Sequence, residues 1–172
     1  MIVINGDITS LKIDIIVNAA NKTLLGGGGV DGKIHRQAGP KLKEECKKLN
    51  GCQVGEAKIT EAYKLPCSKI IHTVGPVYKG GNNKEADFLS MCYSNCMKLA
   101  EEYRKENKLE EVVIAFPCIS TGVFGYPKKE ASLIAIKTIK EINNSKIKVV
   151  FCCYGDENYQ LYIENVYGIT IL

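Results

Sequence analysis

Val17-Asn18-Ala19-Ala20-Asn21 runs through Lys22-Thr23-Leu24-Leu25 into Gly26-Gly27-Gly28-Gly29, and from there into Val30-Asp31-Gly32-Lys33-Ile34-His35-Arg36. An apolar stretch ends in small and amide side chains, crosses four glycines and enters a helical pattern. Glycine has no Cβ, so the backbone of such a turn can approach a ligand closely. A helix starting there presents free N–H groups and the positive end of its dipole, which together cradle a phosphate. A glycine run alone is equally the composition of a plain turn. The arrangement recurs in Pro117-Cys118-Ile119-Ser120-Thr121-Gly122-Val123-Phe124-Gly125-Tyr126-Pro127, where two glycines and two hydroxyls separate an apolar run from a proline-led helix. Ligands of open α/β sheets bind beyond the carboxyl ends of strands, in loops of this kind. Two of them in one small domain can hold both phosphates of a pyrophosphate.

Two nucleotide signatures are imitated by the first loop, and neither is satisfied. Gly27, Gly29 and Gly32 have the G-x-G-x-x-G spacing. A dinucleotide fold also needs a strand directly before that motif and an acidic residue about twenty positions later. The next stretch here is the charged segment Lys41–Lys48. Gly27, Gly32 and Lys33 imitate a triphosphate loop, yet the residue after the lysine is Ile34, where Ser or Thr should hold magnesium. Asp31 inside the loop would also repel a triphosphate.

Metal and nucleophile chemistry find little support. The eight cysteines, Cys46, Cys52, Cys67, Cys92, Cys96, Cys118, Cys152 and Cys153, include no C-x-x-C pair, and His35 and His72 are the only histidines. Zinc sites show closely spaced ligand pairs. We read the cysteines as small buried hydrophobes of a reducing compartment, with Cys92 and Cys96 on a helix and Cys118 and Cys152 in strands. No Ser–His–Asp or Cys–His set is legible, and Cys118 has no evident base partner. His72 reads as a core histidine of an apolar strand. His35, one helical turn after Asp31, reads as a packing residue or a support for its neighbours.

The elements that must position these loops alternate along the chain. Ile2–Ile4, Asp14–Asn18, Ala57–Ala62, Lys69–Val74, Val112–Pro117 and Lys148–Cys153 are strand-like, and Ile169–Leu172 is a candidate edge strand. The Val112 and Lys148 runs are apolar enough to be buried on both faces. A turn around Leu65-Pro66 joins the Ala57 and Lys69 strands. Phe88, Cys92, Cys96, Leu99 and Tyr103 fall at helical spacing. Pro127 opens a second helix through Ala131, Ile134, Ala135 and Ile139, and Tyr159, Tyr162, Ile163 and Val166 mark a third. Lys79–Lys84 reads as a surface loop too short to divide domains.

A chain of 172 residues, 45% of them hydrophobic, suits one α/β domain over residues 1–172 with a central mixed sheet. No apolar run approaches the ~20 residues of a membrane span. Met1 leads straight into Ile2-Val3-Ile4 with no basic leader or cleavage-type site, so a cytoplasmic location is expected. The net charge of +4 comes from lysines scattered among glutamates, with Arg36 and Arg104 the only arginines. Nucleic-acid readers use arginine forks or aromatics clustered on a basic face, so no specific nucleic acid is expected.

Asn18-Ala19-Ala20-Asn21, the Gly26–Gly32 loop with Val30-Asp31, and Ser120–Gly125 together resemble the macrodomain family, in particular its MacroD-type hydrolase branch. The resemblance extends from Asn5-Gly6-Asp7-Ile8-Thr9 to Tyr154, and Val54-Gly55-Glu56-Ala57 and His72-Thr73-Val74-Gly75-Pro76 agree with it. It implies a three-layer α/β/α sandwich around a mixed sheet, with ADP-ribose in a cleft and neither cofactor nor metal. It implies that Asp7 accepts a hydrogen bond from the adenine amino group, with Ile8 beside it; a carboxylate is purely an acceptor and suits that donor. Tyr154 would pack near the adenine or its ribose. Ala20 would contact the ADP-ribose, and the Gly26–Val30 loop, with Gly27, Gly28, Gly29 and Val30, would hold the diphosphate through backbone N–H groups from one side. Ser120, Thr121, Gly122, Val123, Phe124 and Gly125 would hold it from the other. Asn21 and Asp31 would face the terminal ribose as the catalytic residues.

The bond to be broken then lies at or near that ribose, for instance the ester linking its anomeric carbon to an Asp or Glu side chain. Asp31 is the carboxylate available to deprotonate water, directly or through a water held by the substrate's own phosphate, while Asn21 fixes the ribose hydroxyls. Three functions compete. The first is a hydrolase acting on mono-ADP-ribosylated Asp or Glu residues and on O-acetyl-ADP-ribose. The second is a module that reads ADP-ribose without turnover, and the third a single-stranded RNA binder. The lysine excess gives the third weak support. Asn21 together with Asp31 favours the first over the second, because readers often lack the acidic position. The expected partners are ADP-ribose, mono-ADP-ribosylated proteins and O-acetyl-ADP-ribose, with no membrane involved.

Overall fold

The computed structural model describes residues 1–142 and 144–168. In chain order these form β1 (Ile2–Asn5), β2 (Ile15–Ala19), α1 (Gly29–Ala38), α2 (Pro40–Lys48), β3 (Ala57–Glu61), β4 (Lys69–Thr73), α3 (Glu85–Glu106), β5 (Val112–Phe116), α4 (Lys128–Ile142), β6 (Ile147–Cys153) and α5 (Asp156–Tyr167). The expected edge strand Ile169–Leu172 lies outside the described residues.

The strands pair in the order β1-β6-β5-β2-β4-β3. Every pairing is parallel except that of β3 with β4, so β3 is an antiparallel edge and the sheet is mixed. Alternation along each strand sends side chains to two apolar layers. In β2, Ile15 and Val17 pack with Leu89, Cys92 and Cys96 of α3, while Ile16 packs with Ile34 of α1 and Leu42 and Cys46 of α2. In β6, Phe151 and Cys153 join the first layer and Val150 and Cys152 the second. Helices α3, α4 and α5 cover one face and α1 and α2 the other, which makes a three-layer α/β/α sandwich. Central strands covered on both faces need largely apolar sequence; β5 is apolar throughout, while β2 is interrupted by Asn18 and β6 by Lys148.

Aromatic rings fill the thicker layer. The Phe116 ring lies 5.1 Å from that of Tyr93 and 6.2 Å from that of Phe151, which lies 4.7 Å from that of Tyr162. Truncating such a buried ring to Ala typically costs about 3–5 kcal/mol.

The charged segment Lys41–Lys48 folds as most of α2. Pro40 stands in its first turn, where a missing N–H does no harm, and Leu42 and Cys46 turn inward. Val74 does not extend β4; it makes an isolated bridge to Val54. Lys79–Lys84 is a surface loop, but Glu85 fastens it: its carboxylate accepts from the backbone N–H groups of Lys79 at 3.0 Å and Asn83 at 2.6 Å. What matters most for function is direction. β1, β6, β5, β2 and β4 run the same way, so their carboxyl ends emerge along one edge of the sheet.

Candidate functional site

Along that edge lies a groove of about 670 Å³. β1 hands over to Asp7 and Ile8, β2 to Ala20, β4 to Gly75 and β6 to Tyr154, all of which line it. The loop after β5 contributes Ser120, Thr121, Gly122, Val123 and Phe124. Opposite stands the start of α1, with Gly28, Gly29 and Val30 on the wall. Gly28 is the N-cap of α1 and offers no side-chain cap, so the first-turn N–H groups are left for a ligand. A groove of this size between glycine-lined turns suits an anionic ligand of nucleotide dimensions.

The Ser120 loop is built mainly from backbone, with a side-chain brace where Thr121 Oγ1 donates to Cys118 O at 2.9 Å. Tyr126 N–H donates to Ser120 O at 2.9 Å, Gly125 N–H to Gly122 O at 3.0 Å and Tyr78 N–H to Phe124 O at 2.8 Å. Ser120 adopts φ +65°, a left-handed conformation uncommon for a residue with a Cβ, and its buried Oγ has no partner in the protein. Gly75 presses against it; a Cβ there would land on Ser120 Oγ. Val123 stands fully in solvent at 101% exposure.

The first loop is built from side chains. Asn21 Oδ1 accepts from Thr23 N–H at 3.1 Å and Thr23 Oγ1 at 2.6 Å, and its Nδ2 donates to Gly26 O at 3.0 Å. Asp31, at 4% exposure, accepts from Asn18 Nδ2 at 2.8 Å through Oδ1. His35 Nε2 lies 3.5 Å from the same oxygen. Burial pushes the Asp31 carboxyl above its usual range, against the Asn18 hydrogen bond and the nearby His35 ring. Burial also holds His35 below the ordinary histidine value despite Asp31. Asp31 Oδ2 and Asn21 Nδ2 converge on Gly27, where a Cβ would sit 3.1 Å from the first and 3.2 Å from the second.

Asp7 has two tasks. It caps the short 3-10 turn Ile8–Ser10 by accepting from Thr9 N–H at 3.0 Å and Thr9 Oγ1 at 2.6 Å through Oδ1. Its Oδ2 is paired with Lys33 Nζ at 2.6 Å. Partial burial opposes the charge, but Lys33 and Thr9 outweigh it and hold the carboxyl below its ordinary value.

Most of the residues singled out in the sequence meet at this groove, with four departures. Asn21, Asp31, Gly27 and Gly125 are not on its lining. Asn21 is folded back onto its own loop and Asp31 is drawn inward by Asn18, so the pair stands behind Gly27 instead of facing the groove openly. Cys118 is also not in a strand; it follows β5, half-buried, on the groove wall. Lys33, Arg36 and Gly75 line the groove without having been singled out. Gly29, Lys33 and Arg36 fall at i, i+4 and i+7, so the helical period could have found that stripe. Gly75 could not have been found this way, because its role is contact with a loop distant in sequence. Among the described residues, no group of three His, Cys, Asp or Glu side chains is placed to hold a metal ion.

Known proteins resemble this chain in sequence and in fold. The Macro domain family model matches residues 17–135. The ADP-ribose glycohydrolase MACROD2 of Mus musculus is 50% identical over 162 residues, which are 91% of this chain and 33% of that protein. The O-acetyl-ADP-ribose deacetylase of Salmonella newport is 48% identical over 167 residues, 93% of this chain and 90% of that protein. The Trypanosoma brucei macrodomain crystallised in complex with ADP-ribose superposes with a TM-score of 0.84 at 41% identity, covering 95% of this chain and 68% of that one.

Proposed function

Because the chain belongs to the Macro domain family, we propose that it binds ADP-ribose in the groove and hydrolyses the bond joining that group to its carrier. The carriers are acidic side chains of mono-ADP-ribosylated proteins and the acetyl group of O-acetyl-ADP-ribose. The observation that carries the reading is the convergence of Asp31 Oδ2 and Asn21 Nδ2 behind Gly27, at one end of a groove with glycine-rich turns on both sides.

Asp7 and Ile8 take the adenine and Tyr154 packs at its edge. The Gly28–Val30 turn and the Ser120–Phe124 loop hold the diphosphate through N–H groups, which places the terminal ribose towards Gly27. Asn21 Nδ2 exchanges Gly26 O for a ribose hydroxyl. On a modified protein water attacks the anomeric carbon, its proton passes to Asp31 directly or through the substrate phosphate, and the side-chain carboxylate leaves with the bonding electrons. On O-acetyl-ADP-ribose the same water attacks the acetyl carbonyl carbon, and the ribose oxygen leaves with the bonding electrons and takes the proton from Asp31. A carboxyl raised by burial is a stronger base once ionised, which suits Asp31 to the proton transfer. No step is assigned to a metal ion. The proposed compartment is the cytoplasm, where the cysteines stay reduced.

A second reading has its own observation. Asp31 is bound inward and lies off the groove lining, as it would in a module that only reads ADP-ribose. Thermal-shift screening of nucleotides, followed by incubation with a glutamate-modified protein, separates the two. ADP-ribose alone among the nucleotides should stabilise strongly, and free ADP-ribose should accumulate with time. Tight binding without release would leave only the reader, and no ADP-ribose binding would sink both.

A further inference from the structure

Behind Asp31 runs a line of polar side chains that the proposed reaction does not use. Asn18 of β2 and His72 of β4 are register partners in the sheet, and both are 0% exposed. Asn18 Nδ2 lies 2.8 Å from Asp31 Oδ1 and 3.1 Å from His72 Nδ1. His72 Nε2 lies 2.9 Å from Thr60 Oγ1 of β3, which is 3.1 Å from Glu61 O.

Counting hydrogens gives these contacts one direction. The Asn18 amide nitrogen has two hydrogens, one for the carboxylate and one for His72 Nδ1. His72 Nδ1 is therefore an acceptor and its proton sits on Nε2, which donates to Thr60 Oγ1. The Thr60 hydroxyl then donates to Glu61 O. Turning the Asn18 amide over would set Oδ1 against the carboxylate, so that orientation is excluded. The consequence is visible: Asn18 Oδ1 is buried without a partner. A core amide placed for packing alone has no reason to accept that loss. Burial lowers the His72 pKa to about 3, so the ring stays a neutral one-way link at ordinary pH.

We infer that Asn18 and His72, backed by Thr60, are positioning residues for Asp31: they lock Oδ1 and so present Oδ2 at Gly27 beside Asn21. This rests on the proposed role of Asp31 at the ribose. Other groups also face the carboxylate. His35 comes from its own helix, and from α2 come Cys46 and, acting on His35, Lys43. The Cys46 thiol is pushed up to about 11 by burial and stays neutral. Asn18 is the one that donates to the carboxylate, so its removal is read directly in the Asp31 titration.

The test compares Asn18→Leu, His72→Leu and His72→Gln with the parent, measuring ADP-ribose affinity by calorimetry and kcat and KM against pH on O-acetyl-ADP-ribose. Asn18→Leu should lower kcat by about 10²-fold, the cost of a small misplacement of a reacting group. KM and ADP-ribose affinity should stay close to the parent's, and the acid limb of the kcat profile should move to higher pH as Asp31 loses its donor. His72→Gln, which keeps an acceptor for Asn18, should recover most of the kcat that His72→Leu loses. Should Asn18→Leu not fold, the two His72 variants carry the test. Parent-like kcat and acid limb in Asn18→Leu, or equal kcat in both His72 variants, overturns the inference. Asp31→Ala separates the premises: if it is inactive while those outcomes hold, the relay fails and the function stands. If it turns over at the parent rate, both fall.

Discussion

The loop after β2 is braced mainly by side chains, whereas the loop after β5 is held mainly by backbone hydrogen bonds, its own and one from Tyr78. Asn21 fastens the first to itself through Thr23 and Gly26, and Asn18 ties Asp31 behind it into the core, so its conformation is set by the protein's own side chains. The second has Ser120 in a left-handed conformation, an unpartnered Oγ, and Val123 held out in water. A rigid side holds reacting groups to geometry, and a side with unmet hydrogen-bonding capacity is completed by what binds. The comparison divides the labour: precision on the first side, accommodation on the second.

The strongest way to break that division is Asp31→Ala. Turnover should fall by about 10²–10⁴, the usual contribution of a positioned base, while calorimetry shows ADP-ribose affinity almost unchanged. A large loss of affinity instead would make the first loop a binding element like the second. Next comes Gly75→Ala, whose methyl must push Ser120 aside. Overpacking of about 1–3 kcal/mol should weaken ADP-ribose binding roughly tenfold, with a smaller effect on kcat. Its counterpart is Gly32→Ala, where the new methyl lands on the carbonyl oxygen of Gly27. There the loss of about 1–3 kcal/mol should appear in Tm and in kcat together, because the first loop has no slack to absorb it.

A smaller effect tests the electrostatic side. The folded chain holds the Asp31 proton to higher pH than the unfolded chain does, since the carboxyl lies above its ordinary 3.8. Stability is therefore lost as pH climbs through that interval and is regained below it. Asp31→Asn removes the loss, so its Tm advantage over the parent should open above about pH 4 and close in stronger acid. A constant difference across pH would mean the carboxyl carries no such strain. Smallest of all is Val123→Ala, which should leave the unfolding free energy within about 0.5 kcal/mol of the parent's in a denaturant titration, because a fully exposed side chain contributes little to folding.

The loops were legible in sequence because both break an apolar run with glycine, and the motifs around them fixed the family. Even so, Asp31 could be named without its orientation being known. That orientation depends on Asn18 and His72, which are distant in sequence and adjacent only through β2–β4 pairing. An amide at the end of an apolar run looks the same whether it faces solvent or locks a carboxylate. Helix α2 was obscured because Lys41, Lys43, Lys47 and Lys48 outnumber the two residues, Leu42 and Cys46, that it buries. Cys118 was placed in a strand because its neighbours are apolar, although the chain has already left β5 at Phe116.

Lys33 grips Asp7 on the groove wall, so under the proposed placement of adenine there the arrival of the base is a change of partners. The affinity of that end is a difference between an ammonium released into water and an amino group taken out of it. Dissolved ions weaken the first partnership and scarcely touch the second. Ionic strength thus acts as a dial on the purine end of the groove, loosening the resident lysine and easing the entry of an uncharged base.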